Sequence, residues 1–150
     1  MRTTYRVLAW LLALEVVVQA AVIAWALFGL SAWIEGGGVL DAAAIQSDVQ
    51  FDGVVGFMIH GMNGQIIVPV VALVLLIVSF FAKLPRGVAF AAALFGLVVA
   101  QVLLGMFAHA VPALGMLHGA VALAILVTAV FSARLSVTAS PEPREPATVA

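Results

Sequence analysis

Cysteine is absent from this chain. That excludes disulfides, iron–sulfur clusters, thiolate metal sites, thiol catalysis and covalent c-type haem attachment. Charge is nearly absent too. Only 9% of the 150 residues are Asp, Glu, Lys or Arg, where a soluble domain carries roughly 25%. A chain that is 65% hydrophobic, with a mean hydropathy of +1.26, cannot cover a water-facing surface and is read as a membrane protein. The formal net charge of −1 offers no electrostatic footprint for nucleic acid. Nor is there a nucleophile–base constellation, a phosphate loop or an H-E-x-x-H motif, so soluble-enzyme chemistry finds no support.

What remains is apolar sequence in four stretches, each as long as the ~20 residues of one bilayer crossing. They run from about Tyr5 to Leu30, Gly53 to Ala82, Val88 to Ala108 and Leu114 to Ser132. In hydrocarbon every backbone group must be satisfied within the segment, so the expected class is all-α, an up-down-up-down four-helix bundle. The first run is too long for a signal peptide's ~7–15-residue apolar core and is read as a retained span. Arg2, Arg6, Lys83, Arg86, Arg134 and Arg144 all fall on one side of this layout. The positive-inside rule makes that side cytoplasmic, with both termini there and the bilayer a cell inner membrane.

The first loop, carrying Glu35, Asp41, Asp48 and Asp52, then lies outside. Asp41 is positioned to cap a short helix, Ala42 to Gln46, with Gly36-Gly37-Gly38 supplying backbone freedom before it. Trp25 and Trp33 suit the outer interface belt. The tail, residues 135–150, with Pro141, Pro143 and Pro146, reads as disordered.

Three histidines stand out: His60, His109 and His118. An imidazole inside hydrocarbon is costly and rarely idle. At ~1.5 Å rise per residue, His60 lies ~10 Å below the outer face and His118 ~8 Å, on helices running the same way. Gln19 and Gln101, ~20 Å up from the inner ends, reach the same layer. Diagonal helices of such a bundle can oppose two imidazoles across its axis, the geometry of a bis-imidazole haem b. The carbonyls of Gln19 and Gln101 are the expected acceptors for the other ring nitrogens. Gly61, Gly115 and Gly119 either serve close helix packing or make room for a macrocycle edge. Propionates would find no Lys or Arg on the outer side, leaving Asn63, His109 and the helix N-termini as donors.

Other polar residues have plainer readings. His109, beside Pro112, is expected near the headgroups. Glu15, close to the midplane with Gln65 at similar depth, is expected to hydrogen-bond a neighbour. Met58, Met62, Met106 and Met116 are expected as packing residues, although thioethers one turn apart also suit Cu(I).

Met58-Ile59-His60 followed by Asn63-Gly64, Gln101-Val102-Leu103-Leu104-Gly105 and Leu117-His118 together resemble one four-helix half of the haem A synthase family. The resemblance covers roughly Gly53 to Val130. It implies His60 and His118 as axial haem ligands and, were there catalysis, an oxidoreductase of that kind. Gly56, Phe57 and Met58 stand where the family carries an acid, and Gly61 where it carries an arginine. The chain is also similar to a group of four-helix bacterial membrane proteins. The expectation is a haem-binding electron carrier or ancillary half of a haem-modifying or respiratory assembly, as a homodimer or within a larger complex. The alternative is a cofactor-free membrane subunit or assembly partner whose polar layer glues the bundle.

Overall fold

The computed structural model describes residues 1–47 and 49–138, apart from the side chains of residues 45, 46 and 136–138. It is all-helical. Four helices are long and apolar enough to cross a membrane: Arg2–Glu35 (α1), Val55–Ala82, Gly87–Phe107 (α5) and Leu114–Leu135 within α6 (Leu114–Thr138). The second of them is divided. It runs as α3 (Val55–Met62), a wide π turn over Asn63–Ile67 and α4 (Val68–Ala82). The fifth helix is α2, Ala42–Gln46, and the Asp41 carboxylate caps it, accepting from the Ala44 N–H at 2.7 Å.

Helix ends fall where the chain chemistry stops them. α1 starts before Tyr5 and continues past Leu30, because no glycine or proline lies between Leu30 and Gly36. α6 likewise continues past Ser132 to Thr138. The rest of the tail, with Arg144, and Asp48 of the first loop lie outside the described residues. The connection between α4 and α5 is tight at some cost. Lys83 (φ 50°) and Arg86 (φ 61°) both adopt left-handed backbone, each ~1–2 kcal/mol dearer than right-handed for an L-residue. Burial of Leu84 between them offsets part of that.

The buried residues follow one rhythm in all four long helices. On α1 they include Tyr5, Ala9, Leu12 and Ala13; on α4 Val68, Val71, Ala72, Leu75, Ser79 and Ala82. On α5 they are Gly87, Ala91, Leu94 and Val98, and on α6 they include Ile125, Ala129, Ser132 and Ala133. Steps of four and three residues keep one stripe of each helix against its neighbours, as in coiled-coil-like bundles. The stripe is set by size as much as by hydropathy, being rich in Ala, Gly and Ser. Small side chains let helices approach closely where lipid-facing residues are equally apolar.

This core lies toward the end of the molecule that carries Arg2, Arg6, Lys83, Arg86 and Arg134, here called the basic end. There the buried Tyr5 hydroxyl donates to the Gly87 main-chain carbonyl at 3.0 Å and pairs with the Ser132 hydroxyl. One side chain thus ties α1, α5 and α6. The Arg2 guanidinium reaches the Lys83 carbonyl at 3.4 Å.

At the opposite end, the aromatic rings of Trp33 and Phe51 stack with centroids 6.0 Å apart. Gly53 (φ +87°) presses against Trp25, and a Cβ there would lie 2.7 Å from the Trp25 carbonyl oxygen. One turn on, a Cβ at Gly56 would lie 2.4 Å from the Val22 carbonyl oxygen. These two glycines seat the start of α3 against α1.

Candidate functional site

Beyond Ala13 on α1, Val98 on α5 and before Ile125 on α6, burial stops almost completely, with Ala26 the exception. In this looser half the histidine pair is found. The rings of His60 on α3 and His118 on α6 approach to 6.2 Å between centroids, with planes at 61°. Both are half-buried.

His118 has a single tautomer. Its Nδ1 donates to the main-chain carbonyl of Gln101 at 3.0 Å, and a carbonyl only accepts. The Nε2 therefore carries the lone pair. Gly105 makes this placement possible, since a Cβ there would lie 3.1 Å from the imidazole Cε1. One helical turn separates Gln101 from Gly105, so the acceptor and the gap belong to the same face of α5.

His60 has a choice. The main-chain carbonyl of Gln19 lies 3.2 Å from its Nδ1. The Gln19 side chain, oriented so that each of its groups finds a complement, offers an N–H at 2.7 Å to the same nitrogen. Donating to the carbonyl leaves the lone pair on Nε2; accepting from the amide puts the proton there.

The same Gln19 amide also donates to the His60 carbonyl at 3.1 Å and accepts from the Gly64 N–H at 2.9 Å and the Asn63 amide at 3.1 Å. It stands in for the backbone partners that the wide turn at 63–67 leaves displaced. Pro69 accounts for that turn: it lacks an N–H for the Gln65 carbonyl, and its ring crowds that carbonyl. Sequence reasoning did not find the turn, although the proline four residues past Gln65 was the available signal.

The polar layer continues sideways. Asn63 donates to the Glu15 carboxylate at 2.7 Å. Glu15 thus has its neighbour, on α3/α4 rather than its own helix, and Asn63 is occupied by Glu15 and Gln19 rather than turned to a ligand. Gln101 keeps one loose group: its side-chain Oε1 is buried without a hydrogen-bond partner. His109 is exposed, two residues past the end of α5. Gln65 is exposed on the outside of the bundle.

The glycines sort unexpectedly. Cβ atoms at Gly61, Gly115 and Gly119 would meet nothing within 4 Å. These three are therefore not points of helix contact; they border open space. The methionines are not packed either: Met58, Met62, Met106 and Met116 are all exposed, Met116 at 81%.

The described residues contain no group of three or more His, Asp or Glu side chains able to hold a metal ion. The pair His60 and His118 therefore suits only a metal whose remaining ligands come with it, which is what a porphyrin provides. His60 and His118, with ring centroids 6.2 Å apart, are the residues that would hold such a group. The open borders at Gly115 and Gly119 and the orphaned Gln101 Oε1 are compatible with a bound group at this level. The propionates fit less well, because every described Lys and Arg lies at the basic end and Asn63 is already paired. Comparison with protein-family models, with curated proteins and with solved structures found no match.

Proposed function

We propose that this chain is a membrane-embedded b-type haem-binding protein, in which His60 and His118 would hold the haem. It would serve as an electron carrier or as the ancillary half of a haem-modifying or respiratory assembly in a cell inner membrane. The observation that carries the reading is the 6.2 Å separation of two imidazoles contributed by different long helices.

The membrane topology proposed with it is up-down-up-down, both termini cytoplasmic. Contacts support this. The start of α1 touches the end of α4, the start of α5 and the end of α6, while Val22 and Ala26 of α1 meet Gly56 of α3. All described basic side chains share the first of these ends.

Haem in such a site supplies a one-electron iron couple. The protein residues do the rest. The Gln101 carbonyl orients His118 and makes its Nε2 a better donor. The Gln19 main-chain carbonyl does the same for His60 when the proton sits on Nδ1. Gly105 keeps the His118 ring from being pushed off its acceptor.

An absorption spectrum of detergent-extracted protein, oxidised and then dithionite-reduced, tests this. A Soret band with a low-spin b-type α band is expected, lost in both His60→Ala and His118→Ala. Colourless protein from haem-replete cells overturns it.

A second reading has its own observation. Gln19 satisfies all its groups against His60, Asn63 and Gly64 without any ligand. On that basis the layer is interhelical glue in a cofactor-free membrane subunit. His118→Ala would then stay folded and keep its partners.

A further inference from the structure

Most polar side chains within the long helices are paired. Ser31, Ser79 and Thr128 return their hydroxyls to carbonyls of their own helices. Glu15, Gln19, Asn63, His60 and His118 pair inside the bundle. Gln65 differs from all of them. It lies on the outer surface of the π turn, exposed, with no hydrogen bond among the described residues. It is also the eleventh residue of a 28-residue apolar helix, ~15 Å from its start and so at mid-bilayer depth. A primary amide facing hydrocarbon there forfeits its hydrogen bonds.

Its surroundings are equally particular. Phe57, Met58, Gly61, Met62, Gln65 and Ile66 line a shallow depression of about 290 Å³. Gly61 is a hollow with nothing within 4 Å of its Cβ position. Met58 and Met62 protrude beside it, 57% and 58% exposed. Knob and hollow thus share one patch. So do donor and acceptor, since an amide carries both.

We infer that this face binds a second copy of the chain, two α3–π segments crossing about a two-fold axis at Gln65. The amides would pair reciprocally and the methionines of one copy would fill the Gly61 hollow of the other. A two-fold interface must be complementary to itself, and a patch that carries both donor and acceptor, both protrusion and hollow, can meet that requirement. A lipid contact has no use for an amide, and a different partner protein has no need of self-complementarity. The inference rests on the bilayer reading above, but not on haem.

The absence of native cysteine makes the test direct. Met62→Cys, Leu103→Cys and Leu123→Cys place single thiols on α3, α5 and α6, all at exposed positions. They are treated with a short bis-maleimide in carbonate-washed membranes. Met62→Cys is expected to give a covalent homodimer, and the other two to stay monomeric. Adding Gln65→Leu, which suits a lipid-facing position and so leaves the fold intact, should weaken dimerisation about tenfold by energy transfer in bicelles.

Monomer throughout in washed membranes overturns the dimer and leaves the bilayer reading standing. Equal cross-linking at all three positions, an adduct with some other protein at residue 62, or indifference to Gln65→Leu also overturns it. Extraction of the chain by carbonate overturns both.

Discussion

The basic end and the histidine end of this bundle are made of the same helices and hold together differently. At the basic end, Ala, Gly and Ser alternate with Leu, Val and Ile along one stripe, the helices close up, and Tyr5 stitches three of them. At the histidine end almost no side chain is fully buried, and contact passes through Gln19, Asn63, Glu15 and the two imidazoles. Between apolar helices in lipid, dispersion from close packing and hydrogen bonds are the available attractions. One half relies on the first and the other on the second. Close packing leaves little room for a ligand. A hydrogen-bonded layer with open glycines leaves more, which is why the candidate site belongs where it is.

The contrast can be broken by mutation. Leu75 is fully buried at the basic end, so Leu75→Ala should cost about 3 kcal/mol. Leu117→Ala, next to His118 but exposed, should cost less than about 0.5 kcal/mol. Reversible unfolding in mixed detergent measures both, and similar values would erase the distinction.

Gln19→Leu should cost about 2 kcal/mol, because Gly64 and Asn63 lose an acceptor at once. It should also drive the His60 proton to Nδ1, visible in nitrogen-15 spectra of the ring; an unchanged tautomer would argue that the side-chain amide never competes for that nitrogen.

Tyr5→Phe should cost about 1 kcal/mol by the same unfolding measurement, the net worth of a hydrogen bond, with the Ser132 hydroxyl left to find another acceptor.

The smallest effect has the opposite sign. Gly119→Ala enters open space within a helix and should stabilise by about 0.5 kcal/mol. A loss instead would mean that α6 is packed more closely there than the rest of its half. If the stabilised variant also takes up less haem, Gly119 borders the haem site.

Much of this was legible beforehand, for definite reasons. Four apolar runs of spanning length, Asp41 ahead of Ala42, and His60 and His118 at one level on different helices follow from composition and rise per residue alone. The buried stripes were not legible from hydropathy, because in α4 the exposed Leu73 and Ile77 are as apolar as the buried Val71 and Leu75. Only the recurrence of small residues marks the inward face. The partners of the imidazoles were half legible. Both imidazoles meet Gln19 and Gln101, yet His118 donates to the main-chain carbonyl of Gln101, a role open to any residue there, and His60 has the Gln19 main-chain carbonyl and side-chain amide both within reach. Asn63 and Glu15 find each other because they stand at one depth on neighbouring helices, and depth estimates paired Glu15 as readily with Gln65.

The wide turn at 63–67 carries one more consequence. It holds one residue more than an α-helical turn would, so it sets the angular phase between α3 and α4. Winding the same residues as an unbroken α-helix would swing everything above it by ~100°. With α4 anchored by its own core, His60 would be carried away from Gln19 and His118 toward the outside. The register of one imidazole is thus kept by a turn that takes up a surplus residue beside it.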